Sequence, residues 1–293
     1  MKPNSFLTLS LAALALAVIP VKAETTLPDS IKQGGFAIGP QAWTFNKFTA
    51  FEAIAKAKEA GAKCIEFFPG QVLSPENKNA KLHHTMNDAD FKSLQDELAR
   101  QGIVAVNYGV VGGKDEAEWR KIFEFAKKLG LYGITTEDTG HIDVIEKLVK
   151  EFDIRVGYHE HGRQPLKRDY RVWDPNYIVE LTKDRDPRIG ACADTGHWAT
   201  SGLVPLDCLK ILKGRIISVH LKDRTVIGKG TEDVVYGTGI SNVPGMLEEL
   251  RAQGFKGNIS VEYEAKWMDN VGDVKKNIEF VKNWGEAHPV ANN

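Results

Sequence analysis

From residue 36 onward, short apolar runs alternate eight times with stretches that carry apolar residues at helical spacing. The runs are 36–43, 63–68, 103–111, 132–137, 155–159, 188–193, 215–221 and 258–262. The stretches between and after them are 48–60, 87–101, 115–129, 142–152, 175–183, 205–212, 243–253 and 271–284. Gly61, Gly102, Gly130, Gly214 and Gly254 punctuate the ends of helical stretches, where a left-handed residue lets the chain turn back into a strand. Strands that alternate with helices pair in parallel. Eight such units over about 250 residues predict a single closed (β/α)8 TIM barrel. An open doubly wound sheet is the alternative, but no Gly-x-Gly-x-x-Gly follows the first run, where such folds carry their phosphate loop.

Side-chain parity then sorts the strands, since alternate residues face the barrel interior and the helices. In the last strand Ser260, Glu262 and Glu264 face inward; in the seventh, Ser218, His220 and Lys222 do. His159 and His161 share a face with Gly157 in the fifth, and Asp194 shares one with Gly190 and Cys192 in the sixth. Glu137 ends the fourth strand and Glu66 lies late in the second. Glu160 has the opposite parity and points away from the interior. All these groups stand at carboxyl ends of strands, where barrel enzymes keep their active sites.

Taken singly, each acid or imidazole has an ordinary structural explanation as an ion-pair partner or a hydrogen-bonded core group. Taken together they are harder to explain that way. Four of the eight histidines, His159, His161, His197 and His220, cluster at the ends of three successive strands. Burying them beside Asp194 and Glu262 without a counter-charge costs several kcal/mol per ion. One divalent metal would remove that cost, with His159, Asp194, His220 and Glu262 as its ligands. Mixed nitrogen and oxygen donors without thiolate suit Mn, Zn or Co, and Mg less well.

Composition sets the outer limits. The 293 residues are 42% apolar and 26% charged with a formal net charge of -1, which argues against disorder and against a nucleic-acid binder, whose basic footprint is missing. Residues 1–23 read as a secretory signal peptide. Lys2 precedes an uncharged run over 6–19, and small residues precede a cut after Ala23. That run falls short of the roughly 20 residues a membrane anchor needs. A periplasmic or secreted protein follows. Residues 24–35 read as a lead-in or linker, 36–287 as the barrel and 288–293 as a tail without a readable signal. Three cysteines without close spacing, Cys64, Cys192 and Cys208, are not a disulfide framework.

The motifs Tyr158-His159-Glu160-His161, Ala193-Asp194-Thr195-Gly196-His197, Val219-His220-Leu221-Lys222-Asp223 and Val261-Glu262-Tyr263-Glu264 carry a resemblance to the xylose isomerase-like barrels. That superfamily includes sugar isomerases and epimerases, dehydratases and keto-glycoside lyase relatives. The resemblance covers most of the chain after the signal. It implies a metal held by Glu, Asp, His and Glu from successive late strands. Asp194, His220 and Glu262 match the last three, but His159 stands where the first Glu is expected. Glu137 on the preceding strand is a substitute for that missing carboxylate.

The resemblance implies proton abstraction beside the carbonyl of an unphosphorylated sugar. Glu262 and Glu137 are the candidate bases, and Lys222 the group that carries charge near the oxyanion or donates a proton. Glu66, His161, His197, Glu264, Trp43 and Trp198 are the expected substrate contacts, the tryptophans by stacking on the ring. Reprotonation gives an isomer or epimer. Loss of a β-group, as in a dehydratase or a 3-keto-glycoside lyase, is the alternative outcome. A non-catalytic barrel that binds metal and sugar is the alternative of a different class. The expected partner is a small sugar or glycoside, with homo-oligomerisation left open; neither nucleic acid nor, after signal cleavage, a membrane is expected.

Overall fold

A computed structural model of the protein describes residues 25–289. The proposed signal peptide and the last four residues of the tail lie outside them. Among the described residues no helix is long and apolar enough to cross a membrane.

The eight barrel strands are β1 (Phe36–Pro40), β2 (Cys64–Phe67), β3 (Val104–Tyr108), β4 (Gly133–Thr136), β5 (Arg155–Tyr158), β6 (Ile189–Asp194), β7 (Ile216–Leu221) and β8 (Asn258–Val261). Each pairs in parallel with its sequence neighbour from β2 to β8, and β8 pairs with β1. The remaining seam, β1 to β2, is held by a parallel bridge between Gln41 and Glu66. Backbones run close there: a Cβ on Gly39 would lie 1.9 Å from the Cys64 carbonyl oxygen. Nearly every strand residue is buried, the signature of parallel strands covered on both faces.

The helices are α1 (Ala50–Glu59), α2 (Asp88–Gln101), α3 (Glu116–Leu129), α4 (Ile142–Phe152), α5 (Pro175–Thr182), α6 (Thr195–Thr200), α7 (Pro205–Ile211), α8 (Val243–Ala252) and α9 (Val271–Ala287). Local chemistry sets their starts. Thr49 and Glu52 form a reciprocal capping box on α1, and Asn87 and Asp115 cap α2 and α3. α4 ends without a glycine. Asp153 takes the left-handed conformation instead (φ 55°), and its carboxylate receives Arg188 at 2.7 Å.

Three features depart from the expectation. Residues 25–35, read as a lead-in or linker, carry structure of their own. A short 3-10 turn, Asp29–Ile31, and the pair Lys32–Gln33, antiparallel to β1, fold onto the barrel. Leu27 and Ile31 bury there against Ala37, Cys64, Val106, Tyr132 and Ile217. After β7, Asp223–Arg224 and Asp233–Val234 form a small antiparallel hairpin. The third is the short helix α6, taken up below. The three cysteines are free and buried.

Candidate metal centre at the barrel mouth

Asp194 ends β6 and at once caps α6. Its Oδ1 accepts from the His197 backbone N–H at 2.8 Å, which leaves Oδ2 for the interior. α6 packs tightly on the end of β7: a Cβ on Gly196 would lie 2.4 Å from Lys222 Cδ, so a larger residue here would displace the Lys222 side chain. Thr195 Oγ1 donates to the Lys222 carbonyl at 3.1 Å. The Asp-Thr-Gly-His sequence is thus a cap, a tie and a close approach, and it fixes Asp194.

His159, Asp194, His220 and Glu262 converge at the carboxyl ends of β5 to β8. One donor atom from each lies within 4.8 Å of the others, and all four residues are buried. His159 Nε2 is 3.5 Å from Asp194 Oδ2. His220 Nδ1 is 3.8 Å from Asp194 Oδ2 and 3.3 Å from Glu262 Oε2. Asp194 Oδ2 and Glu262 Oε2 are buried and meet the Lys222 ammonium, at 3.1 and 2.7 Å, while His220 Nδ1 is buried with no aligned hydrogen bond. Such an atom carries a desolvation cost unless something else meets it.

A carboxylate holds each imidazole at its far nitrogen. His220 Nε2 meets Glu66 Oε1 at 3.0 Å, and His159 Nδ1 meets Glu137 Oε1 at 3.2 Å. This leaves His220 Nδ1 and His159 Nε2 facing the centre, the arrangement by which outer carboxylates orient histidine ligands of metals. The surroundings are strongly charged. Glu66, Glu137, Asp194, Glu262 and Glu264 surround the buried ammonium of Lys222, which reaches Asp194 at 3.1 Å, Glu262 at 2.7 Å and Glu264 at 2.9 Å, and the imidazoles of His161 and His220, both raised by neighbouring acid groups against the effect of burial. The donor types, the convergence of four buried ligand atoms and the unpartnered His220 Nδ1 fit a divalent cation.

The electrostatics follow from these contacts. Burial would raise the Asp194 and Glu262 carboxyls, but His197 and Lys222 at the first, and Lys222 and His220 at the second, hold both well below the usual range. Burial would also raise Glu137, but hydrogen bonds from His159 and His161 hold it at about 2. His197 is pushed down to about 3 by burial, against the pull of Asp194. Glu160 points away from the centre, as its parity predicts. Its Oε1 accepts from the Asp194 N–H at 3.0 Å, and burial, then the Asp194 charge, push its carboxyl well up.

A cavity of about 450 Å³ opens over this centre. His159, His161, His197, Glu262, Glu264 and Trp43 line it, together with Gln41, Phe68, Pro69, Gly109 and Val110. Trp43 is 41% exposed and its indole N–H donates to Glu264 Oε1 at 3.2 Å. The last five lining residues were missed by sequence reasoning. Their signal is position: each directly follows a strand's carboxyl end, where barrels place their sites. Tyr170, also missed, donates to Glu137 at 3.1 Å and anchors the loop after β5.

Four of the expected catalytic and substrate-contact residues do not line the cavity. Glu66 is fully buried and is hydrogen-bonded to His220, Ser260, Thr135 and Asn107, which places it behind a histidine. Trp198 is 1% exposed; α6 turns it into the core, where it offers no stacking face. Glu137 is occupied by His159, His161 and Tyr170 and does not line the cavity. Lys222 lies beneath Glu262 and Glu264 as their counter-charge, also outside the lining.

A barrel with a polar, metal-fitting centre at its carboxyl mouth defines an enzyme-like class, and comparison with known proteins identifies which. The family model of the xylose isomerase-like TIM barrel matches residues 54–284. The chain belongs to that family. A solved protein of Parabacteroides distasonis is 33% identical, over 84% of this chain and 98% of its own, with a TM-score of 0.67. A D-tagatose 3-epimerase-like protein shares the fold at 18% identity, over 85% and 97% of the two chains, also at 0.67. A Mycobacterium smegmatis barrel in complex with magnesium does so at 13%, over 87% and 99%, at 0.67. A protein of Methanocaldococcus jannaschii is 29% identical over 146 residues, 48% of this chain and 46% of its own length. The chain therefore spans about half of that curated relative. Family and neighbours agree on the xylose isomerase-like barrel fold.

Proposed function

We propose that the protein is a metal-dependent enzyme that removes a proton beside the carbonyl of an unphosphorylated sugar. The observation that carries this reading is the convergence of His159, Asp194, His220 and Glu262 on one point, with His159 and Glu262 also lining the cavity and a carboxylate behind each imidazole. A divalent cation held by these four residues supplies Lewis acidity toward a bound carbonyl and its neighbouring hydroxyl.

The chain's own groups divide the rest of the work. Glu262 lines the cavity and takes the proton; such transfers contribute roughly 10²–10⁴-fold. Lys222 keeps Glu262 ionised and fixed. Trp43 offers a flat apolar face to the ring, and His161 and His197 offer hydrogen bonds to hydroxyls. No Lys or Arg lines the cavity, which favours a sugar without phosphate, in keeping with the export signal expected at residues 1–23.

Both carboxylates of the lining, Glu262 and Glu264, come from the β8 end. A single carboxylate wall serves proton shuttling between neighbouring carbons, hence isomerisation. Inversion at one carbon needs a second group, and His161 or His197 would have to provide it. The second reading is elimination from a 3-keto glycoside, which also needs one base: the proton leaves the carbon beside the carbonyl, a double bond forms and the β carbon–oxygen bond breaks. His159 in place of the expected first Glu favours this reading over epimerisation.

The test is metal analysis of the purified protein, followed by NMR of candidate keto-sugars in deuterated water. Stoichiometric metal and solvent exchange at the carbon beside the carbonyl are expected. Sugars that bind without any exchange would make the protein a binder instead.

A further inference from the structure

A second concavity of about 450 Å³ lies beside the first, and Trp43 and Phe68 line both. The two rings meet edge to face with centroids 5.0 Å apart. Trp43 is tethered through its N–H to Glu264, the carboxylate that shares Lys222 with Glu262. The wall between the cavities is therefore attached to the catalytic floor. It is not a loose rim residue.

The outer cavity has the make-up of a site for a polar ring. Phe48 adds a third aromatic side chain. Asn46 and Gln71 line it, and each keeps a buried amide oxygen with no hydrogen bond inside the protein. Gln71 is 4% exposed, with its amide N–H groups held by the Phe45 and Phe48 carbonyls. Lys47 and Lys81 also line it, and neither forms an ion pair with a described residue. Apolar faces with a few convergent donors and acceptors, at a volume of a few hundred Å³, are what small-ligand sites present.

We infer that the substrate is a two-unit glycoside. Its reacting ring occupies the cavity over the metal centre, and a second sugar unit occupies the outer cavity across Trp43. This rests on the proposed function for the identity of the reacting ring, but the outer site is argued from its own lining. The exposed Lys47 and Lys81 serve the hydroxyls of the second unit.

The test compares glucose and galactose with a panel of α- and β-linked disaccharides built from them. Binding to the metal-loaded protein is followed by calorimetry, and proton exchange is followed for the 3-keto form of each sugar. At least one disaccharide is expected to bind about tenfold or more tighter than either monosaccharide, worth about 1.4 kcal/mol. The double variant Lys47→Ala/Lys81→Ala, both exposed side chains, is expected to remove most of that gain and to leave monosaccharide binding within about twofold. A panel in which no disaccharide exceeds the monosaccharides, or a variant that weakens both alike, overturns the inference. Exchange as fast with keto-monosaccharides as with keto-disaccharides overturns it while sparing the chemistry. Tight disaccharide binding with no exchange anywhere sinks the chemistry and spares the outer site.

Discussion

Replacing Glu66 by Gln tests the metal centre without touching a ligand. Glu66 is fully buried. It accepts from His220 Nε2 at 3.0 Å, Ser260 Oγ at 2.5 Å, Thr135 Oγ1 at 3.2 Å, Asn107 Nδ2 at 3.3 Å and Asn258 Nδ2 at 3.4 Å. Every neighbour is a donor, so an ionised carboxylate is the group that satisfies them all. Glutamine keeps the shape and one acceptor oxygen but turns the other into a donor. The Ser260 hydroxyl can rotate and accept from it; the Asn258 amide donor cannot. One unmatched buried donor costs about 1–3 kcal/mol.

The larger effect falls on His220. Its hydrogen bond loses charge assistance, which roughly halves its strength, and the imidazole becomes a weaker donor at Nδ1. Loss of such an outer carboxylate costs about 10–100-fold in metal affinity, or about 1.4–2.7 kcal/mol. The assay is a competition titration of Zn, Mn or Co against a chelator at neutral pH, with thermal melting of the metal-free proteins as a control on folding. A folded Glu66→Gln protein whose affinity stays within about twofold of the parent would refute the assignment of His220 as a ligand oriented from behind. A parent protein that binds none of the three metals would refute the centre itself.

The remaining predictions are more direct. Glu262→Gln should cut proton exchange at least about 100-fold, whereas Glu137→Gln should act mainly through metal affinity; equal losses of exchange at saturating metal would contradict that division. Gly39→Ala would drive a Cβ to 1.9 Å from the Cys64 carbonyl at the narrowest seam of the barrel. It should cost about 3 kcal/mol or more and lower the melting temperature by roughly 6–10 °C; an unchanged melt would show that the seam yields freely. Hydrogen bonds from Arg188 hold the Asp186 carboxyl at about 2, below its ordinary 3.8. A depressed carboxyl stabilises the fold above its unfolded value and stops doing so as pH falls. Asp186→Asn should therefore cost about 2 kcal/mol at pH 7. In denaturant titrations the gap to the parent should close between about pH 4 and pH 2, and a pH-independent gap would rule this out.

Much of the barrel was legible because buried parallel strands read as unbroken apolar runs. The 215–221 run became Ile216–Leu221, and the 63–68 run became Cys64–Phe67. α6 was not legible. Thr, Gly and His are poor helix formers, and what starts the helix is Asp194, whose inward parity hides its second role as a cap. The packing of the lead-in was not legible, because two apolar residues, Leu27 and Ile31, make no period. Only the closed barrel beneath them turns them into a plug.

The site divides along a similar line. Parity tells which way a strand residue points, but not how high along the barrel axis it sits. Height follows from the stagger of neighbouring strands, which no single strand encodes. Glu66 points inward as expected, yet it lies level with Ser260 and His220, which are paired in register, one inward layer below Glu262. Glu137 stands at the mouth, but His159 and His161 reach it first. Acids that orient ligands and acids that move protons have the same residue type, the same parity and the same place at a strand's end. Here they are told apart by distance alone: an acid within about 3 Å of an imidazole's far nitrogen is occupied with holding the histidine, whereas Glu262 and Glu264 stand in the cavity wall, and of these two only Glu262 belongs to the ligand cluster as well.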